Sequence, residues 1–169
     1  MVIRPAQAGD ESRLALVGAA TFLETFAGQI AGNALIAHCD VQHGTEAYQS
    51  YLANGAHAWL AELNGAPIGY ALLSKPELAA AQAGDLELKR IYLLSRFHGG
   101  GAGKRLLDAV LLAAEASRRL LLGVKADNFR AIAFYGKHGF RQIAIRQFDV
   151  GGTMYDDIVL ARPMQERTD

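Results

Sequence analysis

Four glycines stand within the six residues His98-Gly-Gly-Gly-Ala-Gly103, and Lys104 and Arg105 follow at once. Glycines remove Cβ atoms where a ligand must approach the backbone. The apolar residues Leu106, Leu107, Val110, Leu111 and Ala114 have the spacing of one helix face, so the turn opens a helix whose first amides lack internal partners. Such a turn can hold phosphate, because a helix N-terminus carries partial positive charge and two cations in a first turn are unfavourable unless an anion sits there. A bare tight turn uses the same glycines, and the pattern alone leaves both readings open. It is not a P-loop, since no Lys-Ser/Thr follows the last glycine. The following acidic residue and long βα series of a dinucleotide fold are also missing.

Other reactive side chains are few. His38, Cys39 and His43 match no zinc spacing, so no metal is expected, and Cys39 is the single cysteine, which forbids an internal disulfide framework. Lys and Arg (17) balance Asp and Glu (17), so no net field recruits nucleic acid or anionic lipid, and a phosphate-bearing ligand needs a local site. No apolar run approaches the ~20 residues of a membrane span, and the N-terminus does not read as a secretory signal. A cytoplasmic protein with no nucleic-acid or membrane partner is expected. With 169 residues, 51% of them hydrophobic, the chain has the material for one core, read as a single domain over 1–169.

The elements that must position these residues alternate. Val2 and Ile3 begin a strand that stops at Pro5, and Asp10 offers an N-cap for a helix over residues 11–26. Residues 33–54 read as one or two helical pieces. Strands over 57–63 and 67–74 flank Asn64-Gly65, the loop chemistry of a type I′ hairpin. Residues 85–94 alternate apolar and polar with a slip at Lys89-Arg90 that suits a bulge. After the glycine turn and its helix come a buried strand over 120–124, a helix from Asn128 to Lys137 closed by Gly139, and a final β pair across Gly151-Gly152 that ends at Pro163.

Three segments in order, Leu86-Glu-Leu-Lys-Arg-Ile-Tyr-Leu93, Phe97-His-Gly-Gly-Gly-Ala-Gly-Lys104 and Asn128-Phe-Arg-Ala-Ile-Ala-Phe-Tyr-Gly-Lys-His-Gly-Phe140, resemble the GCN5-related N-acetyltransferase (GNAT) superfamily. The resemblance implies a mixed α/β fold: a mostly antiparallel sheet of about seven strands, splayed between strands 4 and 5 and flanked by about four helices. It implies acetyl-CoA as cosubstrate. The family's Gln/Arg-x-x-Gly-x-Gly/Ala loop falls on His98, Gly101 and Gly103, with His98 departing from the usual residue. On this likeness Gly99, Gly100, Ala102 and Lys104 complete the phosphate turn, while Ile91, Tyr92 and Leu93 offer backbone to the pantetheine arm. Asn128 resembles the family's cofactor-contacting Asn and Tyr135 the tyrosine near the CoA sulfur, able to protonate the departing thiolate. Glu87, eleven residues before His98, stands where histone-type members carry a general base; a plain strand residue or a substrate anchor is the other reading of it.

Glu24 and the segment containing Asp156 resemble bacterial polyamine acetyltransferases of the PaiA type. Together with Glu87 they suggest an acidic pocket for a polyamine-like small-molecule amine, attacked directly in a ternary complex. Two alternatives remain: a protein or peptide N-terminal acetyltransferase, and a non-catalytic acetyl-CoA-binding regulatory module. A homodimer is left open.

Overall fold

The computed structural model describes residues 1–150 and 152–164. Its seven strands are β1 (Val2–Pro5), β2 (His57–Leu63), β3 (Ala66–Ser74), β4 (Leu86–Leu93), β5 (Arg119–Lys125), β6 (Arg141–Val150) and β7 (Thr153–Pro163). They form one sheet in the order β1-β2-β3-β4-β5-β7-β6, antiparallel everywhere except between β4 and β5. The helices are α1 (Glu11–Phe26), α2 (Gly32–Gln42), α3 (Thr45–Ala53), α4 (Ala102–Ala113) and α5 (Phe129–Lys137). The mixed, splayed α/β architecture is the expected one, and the segment at 33–54 resolves into two helices. No described helix is long and apolar enough to cross a membrane.

Strand alternation sorts the core into two layers. Trp59, Ala61, Ala71, Leu73, Leu88, Leu120, Leu122, Ile158 and Leu160 pack with Leu106, Leu107, Val110 and Tyr135 beneath α4 and α5. Ala58, Leu60, Tyr70 and Leu72 point the other way, onto Leu14 and Val17 of α1 and Tyr48 of α3. Helices therefore cover both faces, which is why β2 and β3 read as nearly continuous apolar runs.

Local chemistry fixes the corners. Asn64 (φ 51°) and Gly65 (φ 79°) are both left-handed, as a type I′ turn requires. Asp10 does not cap α1 with its side chain as expected. Its carboxylate is taken instead by Arg4 of β1, at 2.6 and 3.0 Å, and by the Gln7 amide at 2.8 Å. In the β6–β7 turn, Gly151 lies outside the described residues.

The feature that matters for function is the divergence of β4 from β5. They pair only at Leu86↔Leu120 and Glu87↔Leu121. Just before that closed end, Arg119 grips the buried Asp85 with two hydrogen bonds of 2.6 and 3.1 Å. On the other side of β4 the register with β3 jumps from Leu73↔Leu88 to Leu72↔Arg90, so Lys89 is an extra residue. This is the bulge expected at Lys89-Arg90; it bends β4 and ends its pairing with β5.

Candidate active site

Beyond Glu87 the edge of β4 that faces β5 has no strand partner, and the gap opens toward the turn that starts α4. A short 3₁₀ turn, Ser95–Phe97, leads into that turn. Gly101 holds φ 81° in the left-handed region as the residue preceding α4, a conformation glycine adopts without strain. None of the backbone N–H groups from Gly99 to Lys104 finds an acceptor among the described residues; the first one satisfied is Arg105, which donates to Gly101. A Cβ on Gly101 or Gly103 would meet open space, so room remains for a ligand at those amides. Six unpaired amides at a helix N-terminus fit a pyrophosphate.

The charges around this turn are already engaged. Lys104 pairs with Asp108 one helical turn on, at 2.6 Å. His98 donates from Nε2 to the Leu93 carbonyl at 2.8 Å, which ties the turn back to the end of β4. Glu24 accepts from the amide and the hydroxyl of Ser95 at 2.9 and 2.8 Å. Those two bonds hold its carboxyl below the usual range.

Across the open end of the gap, just past the end of β5, Asn128 caps α5, its side chain accepting from the Ala131 amide at 3.1 Å. This fixes the helix that carries Tyr135. The Tyr135 ring is buried against Phe134 and Phe140, with centroids 5.4 and 5.5 Å away. Burial, reinforced by the nearby Tyr92 phenol, pushes its hydroxyl well above the ordinary tyrosine value, so it stays protonated and can donate. No protein group bonds that hydroxyl among the described residues. Tyr135 packs on the α5 side of the sheet and Tyr92 on the α1 side.

The three carboxylates expected to form an acidic pocket are not brought together. Glu24 sits on Ser95. Glu87 is buried at the closed end of the gap, where its Oε2 accepts from the Glu77 amide at 2.7 Å and so secures the β3–β4 loop. Asp156 is exposed, while its neighbour Asp157 is buried. Asp157, Arg146 and Gly123 were not singled out from the sequence. Arg146 donates to Asp157 Oδ2 from Nε at 3.3 Å and from Nη2 at 3.1 Å. It lies so close over β5 that a Cβ on Gly123 would be 2.6 Å from Nη2. The period of two along β7 turns Ile158 and Leu160 toward α4 and α5 and puts Asp157 with the odd positions on the opposite face.

Between α1, α2 and α3, a further polar cluster backs onto β4. His43 Nδ1 and the Tyr48 hydroxyl are 3.1 Å apart, and burial, helped by Arg90, lowers the imidazole to about 3, so it is neutral near pH 7. His38 stacks on Phe22 at 4.4 Å. Arg90 donates to the Gln42 carbonyl at the end of α2, at 2.8 Å, and lies over the rings of Tyr48 and Tyr51. No group of three metal-ligating side chains occurs among the described residues.

Residues 19–140 match the acetyltransferase (GNAT) family. A Mycobacterium tuberculosis protein named as an uncharacterized N-acetyltransferase is 32% identical over 158 residues, which are 92% of this chain and 98% of that protein. The crystal structure of the PaiA N-acetyltransferase of Thermoplasma acidophilum, in complex with coenzyme A, superposes with a TM-score of 0.74 at 19% identity, over 96% of this chain and 99% of that one. The ribosomal-protein-alanine N-acetyltransferase of Brucella melitensis gives a TM-score of 0.74 at 23% identity, again over 96% and 99%.

Proposed function

Since this chain belongs to the acetyltransferase (GNAT) family, we propose that it is an N-acetyltransferase that moves the acetyl group of acetyl-CoA to a primary amine of a small molecule by direct attack. The observation that carries this reading is the pairing of β4 with β5 at two rungs only, with six unpaired amides, Gly99 to Lys104, at the open end. The amides bind the pyrophosphate, and the free backbone edge from Ile91 to Leu93 takes the pantetheine arm as an added strand would. Acetyl-CoA supplies an activated thioester. Tyr135 is the proton donor for the departing thiolate: it is protonated, oriented by Phe134 and Phe140, and its hydroxyl has no hydrogen-bond partner among the described residues.

Dispersal of Glu24, Glu87 and Asp156 removes the argument for a polyamine in particular, so the acceptor is left as a primary amine. The test is CoA-thiol release with a panel of polyamines, amino acids, aminoglycosides and peptide N-termini. Release above thioester hydrolysis with any amine supports catalysis; acetyl-CoA binding without release from any of them favours a binding module instead.

A further inference from the structure

Arg90 is the first residue of β4 after the bulge at Lys89, and it stands immediately before the edge from Ile91 to Leu93 assigned to pantetheine. Its register partner is Leu72, so its side chain leaves the sheet on the face that Tyr70 and Leu72 present to α1 and α3. There it meets no carboxylate. Its one hydrogen bond among the described residues runs from Nη1 to the Gln42 carbonyl, and its guanidinium lies 5.4 and 5.3 Å from the Tyr48 and Tyr51 rings. Lys89, also over Tyr51 at 5.4 Å, takes the Glu77 carboxylate for itself. The other titratable groups on the α2 side are His38 and His43, with ring centroids 5.8 Å apart, and burial together with Arg90 lowers both imidazoles. None of the three basic side chains forms an ion pair among the described residues. Tyr70, edge-on to Tyr48 at 5.8 Å, ends in a buried hydroxyl with no partner. It is the only sealed, unpartnered side-chain polar atom among the described residues, so the remaining N–H groups of Arg90, also without acceptors, are open to water or a ligand. A partly buried guanidinium beside two imidazoles and no acid is costly unless an anion completes it.

We infer that Arg90 is the specificity-determining residue of the acceptor site, where it receives a carboxylate carried by the acceptor amine, so that the substrate class is amino-acid-like. The inference rests on the acetyltransferase reading above. Two residues of strand, about 7 Å, separate Arg90 from Tyr92 in the middle of the edge assigned to pantetheine. One small molecule spans that distance, with its amine at the thioester and its carboxylate on the guanidinium. The planar fork of Arg90 suits a carboxylate, which accepts two parallel N–H bonds. An amine without an anion leaves the guanidinium unpaired, and a polyamine brings further positive charge beside it. The recess at Arg90 is thus the opposite in charge of the acidic pocket expected from Glu24, Glu87 and Asp156.

The experiment begins with wild-type protein and a series of α- and ω-amino acids, each beside its carboxamide, with polyamines of similar length, in the thiol-release assay. Failure to bind acetyl-CoA by calorimetry, or to release thiol with any amine, sinks the acetyltransferase reading and the inference with it. The best amino acid is expected to exceed its carboxamide in kcat/KM by roughly 10- to 100-fold, the usual worth of a charge-assisted hydrogen-bonded pair. Propionate, a carboxylate without an amine, should compete with that amino acid and not with acetyl-CoA. In Arg90→Gln the acid-over-carboxamide ratio should fall to near one, chiefly through KM for the acid, with acetyl-CoA affinity kept. Arg90→Lys, which keeps the charge without the fork, should retain part of the ratio. Equal turnover of acid and carboxamide by the wild type, or a polyamine as the preferred acceptor, overturns the inference while leaving the acetyltransferase reading intact, and this comparison needs no variant to fold. An unchanged ratio in folded Arg90→Gln overturns it equally, as does a loss of acetyl-CoA affinity there, which would assign the cation to the phosphates of the cofactor.

Discussion

Glu24 in the last turn of α1 and Ser95 at the entrance to the glycine turn are joined by two hydrogen bonds, 2.9 Å from the amide and 2.8 Å from the hydroxyl, across 71 residues of sequence. A carboxylate read from the sequence as part of an acceptor pocket thus holds the segment that presents the amides Gly99 to Lys104. Preorganising a glycine-rich turn lowers the entropy that ligand binding must overcome.

For that contact, Glu24→Ala is expected to weaken acetyl-CoA roughly three- to tenfold, as befits two exposed charge-assisted hydrogen bonds. S-acetylpantetheine, which lacks the pyrophosphate, should bind Glu24→Ala and wild type equally. Calorimetry with both ligands checks this; an equal loss for the two would place the role of Glu24 outside the turn.

Gly101 and Gly103 should respond differently to substitution. Gly101 has φ 81°, so Gly101→Val strains the turn and lowers both stability and acetyl-CoA affinity. Gly103 is helical with open space where its Cβ would lie. Gly103→Ala is therefore expected to raise stability by up to about 1 kcal/mol, the usual helix gain, while weakening acetyl-CoA by crowding the amides. Thermal melts beside calorimetry separate the two effects.

Removing only the hydroxyl, Tyr135→Phe keeps the packing on Phe134 and Phe140. The expected result is unchanged acetyl-CoA affinity with kcat lower by roughly 10- to 1000-fold, the range for losing one proton donor. Full kcat under conditions where chemistry limits the rate would remove Tyr135 from the mechanism.

Asp10 links pH to stability. The Arg4 guanidinium, aided by the Gln7 amide, holds its carboxyl at about 2, below the ordinary 3.8. A folded-state value below the unfolded one stabilises the protein above about pH 4, and the contribution is lost as pH falls through about 2. Its size is about 2 kcal/mol. Asp10→Asn should therefore lower the urea midpoint near pH 7, with the difference from wild type shrinking below pH 4.

The residues by themselves determined the frame. Asn64-Gly65 dictates a type I′ hairpin because both positions need left-handed backbone, and Asn128 caps α5 because its side chain reaches the Ala131 amide. The slip at Lys89-Arg90 marks the bulge, and the glycine run marks the helix start with unpaired amides. These are local effects, decided within a few residues along the chain. Tertiary structure alone decided what each carboxylate holds. Glu24 is set by Ser95, Asp10 by Arg4 and Glu87 by the Glu77 amide, partners supplied by other elements. The burial of Asp157 beside an exposed Asp156 has the same origin. Both faces of β7 are apolar farther along, at Ile158-Val159-Leu160-Ala161, so alternation divides the pair without naming the member that is buried. Asp157 gained its cover and its ion partner only when β6 laid Arg146 across Gly123, because a side chain's burial and charge partner depend on strand neighbours that local sequence does not specify.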